Sequence, residues 1–100
     1  MKLQDNGDTL RVYDVQELCA TNANSIRDLA RAALGEGQRN IEIDLSQTAS
    51  IDSCGLGTLV ALHKTVCSRR GVLRLLSPTA PVQQILELTR MHRLFEIVTP

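Results

Sequence analysis

The chain has 100 residues, of which 43% are hydrophobic and 22% are charged, a composition that favours one globular domain over a disordered segment. Its eleven basic and eleven acidic residues cancel, and only two residues are aromatic. The chain therefore lacks the net positive charge and the stacking side chains that are typical of nucleic-acid-binding proteins. We predict a single domain over residues 1–100 that does not bind nucleic acid.

The apolar segments and the cysteines indicate a compartment. No apolar run approaches the roughly 20 residues that cross a bilayer, and the polar residues 2–6 lack the apolar core of a signal peptide. The three cysteines form no Cys-x-x-Cys pair, which argues against a disulfide framework and a zinc site. We expect a cytoplasmic protein without a metal or another cofactor.

The first third of the chain predicts a β-hairpin followed by a helix. Strand-forming side chains occupy residues 9–15, and residues 2–4 pair with them across the turn signal Asn6-Gly7-Asp8. N-cap residues occur at 21–25, and Gly35 marks the end of the helix. Its apolar face is predicted to comprise Ile26, Leu29, Ala30, Ala33 and Leu34.

The centre of the chain predicts a strand, a turn and a second helix. Residues 40–45 alternate apolar and acidic side chains, which is the pattern of a strand with one buried face. After the turn at residues 50–57, apolar side chains recur at helical spacing. They are Leu56, Leu59, Val60, Val66 and Cys67.

Ser53 is predicted to lie at the N-terminus of this second helix. Either Asp52 or Ser53 supplies the N-cap oxygen, and capping alone is the simplest role for Ser53. A phosphate on Ser53 would also meet the free N–H groups and the positive end of the helix dipole. Gly55 and Gly57 indicate close approach by another backbone, because each costs about 0.8–1 kcal/mol relative to alanine in a helix.

The last third of the chain completes an α/β pattern. Residues 72–76 form a short apolar strand, Ser77-Pro78 begins a turn into a third helix, and residues 94–98 form a final strand that ends at Thr99-Pro100. Strands that alternate with helices predict a mixed, mostly parallel sheet of four to five strands with helices packed on it and an antiparallel N-terminal edge.

Catalytic motifs are weak. The Gly-x-Ser-x-Gly elbow is absent, and His63 lies ten residues along the helix from Ser53, about 15 Å away and far beyond the roughly 3 Å that a general base requires. His63 and Cys67 supply only half of a metal site, so a core role for Cys67 is the simpler interpretation. No glycine-rich phosphate-binding loop occurs. We predict a binding protein and not an enzyme.

The segment Asp52-Ser53-Cys54-Gly55-Leu56-Gly57, preceded by Ile43-Asp44-Leu45 and followed by a helix, Gly71 and Ser77-Pro78, resembles the STAS domain. More narrowly, it is similar to the anti-sigma factor antagonists, small stand-alone bacterial members of that family. The resemblance implies that the unphosphorylated chain docks an anti-sigma factor of the histidine-kinase-like ATPase fold. It also implies that this kinase switches docking off by phosphorylating Ser53, beside the supporting carboxylate of Asp52.

The predicted partner-binding surface combines this segment with the loop beside it. Replacing Gly55 by a bulky residue is expected to weaken docking with little effect on stability. The residues assigned to the surface are Asp52, Ser53, Cys54, Gly55, Leu56, Gly57, Glu17, Leu18 and Cys19.

One position departs from the family pattern. Where the family usually has Gly-Glu-Leu-Asp, this chain has Gln16-Glu17-Leu18-Cys19, and the missing aspartate borders the phosphoacceptor in the family. The alternative prediction is a small STAS subunit that binds the ATPase of a lipid-transport ABC system, for which docking is constitutive.

Overall fold

The computed structural model describes residues 1–99, in which short strands alternate with three α-helices. A 3-10 helix, Met91–Arg93, precedes the last strand. The helices are α1 (Ala23–Ala33), α2 (Ser53–Cys67) and α3 (Ala80–Leu88). The strands are β1 (Lys2–Asn6), β2 (Thr9–Tyr13), β3 (Glu17–Leu18), β4 (Asn40–Asp44), β5 (Ser50–Ile51), β6 (Leu73–Leu76) and β7 (Glu96–Val98).

Five of the strands form one mixed sheet in the order β1-β2-β4-β6-β7. β1 and β2 are antiparallel, and every other neighbouring pair is parallel. The structure thus confirms the predicted α/β fold, the N-terminal hairpin and the largely parallel sheet. The predicted end of the final strand at Pro100 lies outside the described residues.

All three helices lie on one face of the sheet. β2, β4, β6 and β7 follow one another in one direction, and right-handed crossovers between them place α1, α2 and α3 on the same side. The core lies between sheet and helices, where Ile41 and Ile43 of β4 meet Leu59 and Leu62 of α2, each at most 1% exposed. Burial of these side chains is the main force that holds the layers together.

The opposite face of the sheet carries half-buried polar side chains. Arg11 on β2 pairs with Asp44 on β4 at 3.2 Å, and Arg74 on β6 pairs with Glu96 on β7 at 3.3 Å. The acidic positions of the alternating β4 pattern therefore belong to this face. Because successive side chains of a strand point to opposite faces, the apolar side chains of each strand face the helices.

Two side chains that were predicted on apolar helix faces lie outside the core. Cys67 is exposed, because Val66 is the last buried residue of α2 and the next residue lies about 100° further round the helix. Leu29 is 51% exposed, because Ile26 and Ala30 already define the buried stripe of α1. The predicted core role of Cys67 is therefore wrong.

A second, two-stranded sheet was not predicted and positions the functional site. β3 pairs with β5 in parallel, with Glu17 opposite Ser50 and Leu18 opposite Ile51. Strands of two residues carry no readable periodicity, so pattern analysis does not find them. The pairing brings the segment after β2 beside the start of α2. Among residues 1–99, no helix is both long enough and apolar enough to span a membrane.

Candidate functional site

The start of α2 is capped by Asp52, which leaves Ser53 free. Asp52 has an extended backbone, and its Oδ1 accepts a hydrogen bond from the amide of Gly55 at 3.0 Å. Ser53 is the first helical residue and is exposed. The prediction that Ser53 is exposed at a helix N-terminus is confirmed, and Asp52 is the N-cap.

The second carboxylate oxygen of Asp52 joins two segments. Its Oδ2 accepts from the amide of Ala20, in the turn after β3, at 2.9 Å. The hydrogen bond from the amide of Gly55, and to a smaller extent that from Ala20, holds the pKa of Asp52 below its usual value. Asp52 is therefore ionised at neutral pH, and it is a weak base whose oxygens already accept hydrogen bonds.

The Asp52 cap occupies part of the anion site that was predicted at the start of α2. The amides of Gly55 and Cys54 both stabilise the Asp52 carboxylate, so the positive end of α2 already holds a negative charge. A phosphate on Ser53 would compete with Asp52 for these amides. The prediction that the phosphate meets free N–H groups is wrong for Gly55.

Gly55 allows the turn after β3 to lie against α2. A Cβ at position 55 would overlap the carbonyl oxygen of Leu18 and would lie 2.8 Å from Cγ1 of Ile51. The predicted close approach of another backbone is confirmed here, and a bulky side chain would disturb the fold as well as any docking. At Gly57, no atom of another segment of this chain lies within 4 Å of an added Cβ, so close approach at this position stays a prediction for a partner.

The structure brings most of the predicted docking residues to one surface. Leu18 and Gly55 are exceptions, since both are buried and present no side chain to a partner. Ser50 and Ala20 join the surface and were missed, because only the β3–β5 pairing places them there. We call it the Ser53 surface: Glu17, Cys19, Ala20, Ser50, Asp52, Ser53, Cys54, Leu56 and Gly57.

Cys19 is half-buried at the edge of the Ser53 surface. Its Sγ lies 3.5 Å from Oγ of Ser50, and its amide donates to Oδ1 of Asn22 at 2.9 Å. A weakly polar thiol thus faces the strand that leads to Ser53. Position 19 therefore supplies no carboxylate to the Ser53 surface.

The segments that form the Ser53 surface contain no basic side chain. Residues 12–26 and 44–63 include no lysine or arginine, whereas Glu17 and Asp52 supply negative charge. The positive end of α2 is the nearest fixed positive charge in these segments, and Asp52 already partly neutralises it.

His63 and Cys67 form a separate pair on α2. Sγ of Cys67 lies 3.6 Å from Nε2 of His63, whose ring packs edge-on against Phe95 at 5.6 Å between centroids. No group of three or more metal-binding side chains occurs in the part of the chain that the structure describes. The pair alone supplies two candidate ligands.

Comparison with known proteins identifies a family to which this chain is similar. A family model described as the STAS domain matches residues 1–99. A Thermotoga maritima protein, provisionally named an anti-sigma factor antagonist, is 38% identical over 64 residues, a match that covers 64% of this chain and 57% of that relative. The matched region thus spans little more than half the length of that relative.

Solved structures share the fold. The crystal structure of a T. maritima protein with the same provisional name superposes with a TM-score of 0.89 at 30% identity, over 97% of this chain and 84% of that one. The anti-sigma factor antagonist SpoIIAA in its unphosphorylated form gives a TM-score of 0.85 at 17% identity, over 99% and 86%. Bacillus SpoIIAA in its phosphorylated form gives 0.75 at 16% identity, over 99% and 89%. At 17% and 16% identity, the similarity to SpoIIAA supports a shared fold and nothing further.

Proposed function

Because the chain belongs to the STAS domain family, we propose that it is a regulatory binding protein of the anti-sigma factor antagonist type. The unphosphorylated chain docks an anti-sigma factor of the histidine-kinase-like ATPase fold through the Ser53 surface. Phosphorylation of Ser53 by that partner switches docking off. In this proposal the chain is cytoplasmic, acts in transcription regulation and catalyses no reaction itself.

The observation that carries the proposal is the freedom of Ser53. A serine at a helix start usually serves as the cap, but here Asp52 caps α2 and Ser53 is the exposed first helical residue. Its hydroxyl stands among small neighbours, Cys54 and Gly57, that let another protein approach closely. The pattern supports a modification site at the centre of a docking surface.

The electrostatics of the Ser53 surface support an off-switch. A phosphoserine carries a charge of about −1.5 to −2 at pH 7. Residues 12–26 and 44–63, which include the Ser53 surface, supply no lysine or arginine to neutralise it, and the Asp52 carboxylate already accepts from the amide of Gly55 at the start of α2. The dianion would therefore hold its hydration shell and oppose the close approach of a partner.

The test is phosphorylation with an anti-sigma factor kinase of the histidine-kinase-like ATPase fold from the same genome. After incubation with the kinase and ATP, mass spectrometry should find one phosphate on Ser53, and Ser53→Ala should abolish it. Ser68→Ala is the matched control, because Ser68 is an exposed serine at the other end of α2 and its loss should not affect phosphorylation of Ser53.

Docking affinity provides the second readout. Ser53→Asp should weaken binding of the kinase more than tenfold, about 1.4 kcal/mol, whereas Ser53→Ala should bind as the wild type does. If Ser53→Asp binds as tightly as the wild type and no kinase modifies Ser53, the switch is refuted.

A second candidate function rests on Cys19. Where the family pattern has an aspartate beside the phosphoacceptor, this chain places a thiol against Ser50. A STAS subunit that binds the ATPase of a lipid-transport ABC system constitutively needs no such carboxylate. Stable capture of that ATPase by both the wild type and Ser53→Asp would favour this function.

A further inference from the structure

A polar cavity opens on the sheet face opposite the helices, outside the Ser53 surface. Its volume is about 240 Å³, and it lies where β2 and β4 end. The lining residues are Lys2, Tyr13, Asp14, Asp44, Ser46 and Gln47.

Charges of opposite sign line this cavity. Lys2 on β1 stands opposite Tyr13 on β2, and Asp44 on β4 lies on the other side of β2. With about 4.8 Å between neighbouring strands, the backbones of Lys2 and Asp44 are about 10 Å apart. Asp14 extends the acidic side from the end of β2. The cavity therefore has a cationic wall and an anionic wall.

Neither Lys2 nor Asp14 forms an ion pair with another described residue, 1 to 99. Oδ1 of Asp14 accepts a hydrogen bond from Nε2 of Gln16 at 3.1 Å, which leaves the charge of Asp14 without a cationic partner among these residues. Asp44 is engaged by Arg11 at 3.2 Å and by the amide of Ser46 at 2.9 Å. An ammonium and a carboxylate thus remain available to a molecule in the cavity.

We propose that this cavity binds a small zwitterion of the free amino acid class. Its carboxylate pairs with Lys2, and its ammonium pairs with Asp14, beside the half-buried Asp44. The hydroxyls of Tyr13 and Ser46 supply further hydrogen bonds. Because Arg11 already pairs with Asp44, Lys2 and Asp14 leave one charge of each sign, which favours a zwitterion over phosphates and other anions.

The size and lining of the cavity set the size of the ligand. At about 30 Å³ per water, the cavity holds about eight waters, which is less than the 300–1,000 Å³ or so that is typical of apolar drug-sized sites. All six lining side chains carry a polar group. A short hydrophilic molecule fits this cavity better than a nucleotide or a lipid.

L-serine is the probe for the test, with two matched compounds that each lack one charge. Glycerate has a hydroxyl in place of the ammonium, and ethanolamine lacks the carboxylate. In an NMR titration of the isotope-labelled chain, L-serine should shift the amides of Asp14, Ser46 and Gln47 saturably, with a Kd of about 1 mM or tighter. Glycerate and ethanolamine should each bind at least tenfold more weakly. No saturable shift with L-serine, or equal binding of all three compounds, overturns the proposal.

Variants locate the site. Lys2→Gln and Asp14→Asn should each weaken L-serine binding at least fivefold, and Lys2→Gln should make L-serine and ethanolamine bind alike. Asparagine tolerates the left-handed backbone of Asp14, whose φ is 59°, so Asp14→Asn should keep the fold. Arg74→Gln, away from the cavity lining, is the control and should bind as the wild type does. Unchanged L-serine affinity in both cavity variants contradicts the assignment, whatever the outcome for Ser53.

Discussion

At the residue scale, Asp52 and Gly55 hold the Ser53 surface together. Asp52 uses one oxygen for the start of α2 and the other for the turn after β3. Gly55 lets that turn approach because it has no side chain to meet the carbonyl of Leu18. Ser53 can remain exposed because its neighbours perform both structural tasks.

Gly55 and Gly57 should respond in opposite ways to alanine. Gly55→Ala should destabilise the chain by about 1–3 kcal/mol, the usual cost of overpacking, because the new methyl meets the backbone of β3. Gly57→Ala should stabilise it by about 0.4–1 kcal/mol, because space is open there and alanine restricts the unfolded chain. Urea unfolding of the two variants measures both effects. Equal stability of the two variants would contradict the packing that is described for Gly55.

At the scale of elements, short contacts between neighbours align the pieces of the site. The β3–β5 pairing sets the turn after β3 beside α2. Thr58 of α2 is 3% exposed, and its hydroxyl donates to the carbonyl oxygen of Ala23, the first residue of α1, at 2.9 Å. This bond fixes the start of α1 relative to α2, and with it the turn that carries Cys19 and Ala20.

Thr58→Val tests this link between helices. Valine keeps the branched shape but loses the hydroxyl, so stability should fall by about 1 kcal/mol, the net value of a typical hydrogen bond. Thr89→Val is the control, because the hydroxyl of the exposed Thr89 donates to carbonyl groups of α3, the helix that it follows, and its effect should stay within about 0.5 kcal/mol. Thermal unfolding measures both variants. A loss in Thr89→Val as large as that in Thr58→Val would remove the special role of the helix–helix bond.

At the scale of the whole molecule, the two surfaces of interest lie at the same end of the sheet. The Ser53 surface follows β4 and β5 on the helix side, and the polar cavity opens where β2 and β4 end. Gln47 lines the cavity three residues before Ser50. The helix layer is used for stability, which leaves the loops at this end for binding.

Two carboxylates at this end should make the chain sensitive to acid. Burial raises the pKa of Asp44, but hydrogen bonds from Ser46 and the nearby Arg11 outweigh it, so the net pKa is lowered. The pKa of Asp52 is lowered by the amides of Gly55 and Ala20. A depressed folded-state pKa stabilises the fold above the unfolded-state value of about 3.9, and this contribution is lost as the pH falls through the folded-state value.

Urea unfolding between neutral pH and acid measures this loss. Asp52→Asn and Asp44→Asn should each flatten the fall in stability below about pH 4, while asparagine retains a capping oxygen at position 52. The double variant should combine the two effects, because the carboxylates have different hydrogen-bond partners. A wild type and a double variant with the same acid dependence would contradict the assigned hydrogen bonds.

The sequence by itself determined the order of the helices and of the strands of the main sheet, the mostly parallel pairing and the position of Ser53 at the start of α2. These features follow from local causes: the period of apolar side chains, the N-cap chemistry of Asp52 and the family motif around Ser53. Such signals lie within a few residues of one another, so one chain is enough to detect them.

Only the tertiary structure decided which residues share a surface. Whether a glycine is packed or open depends on what arrives from elsewhere, so Gly55 and Gly57 look alike in sequence and differ in the fold. The pairing of β3 with β5 joins residues more than 30 positions apart through strands of two residues. The cavity between Lys2 and Asp44 likewise exists only once β1 and β4 flank β2. Long-range contacts of this kind leave no local pattern, because they are selected by the packing of the whole core.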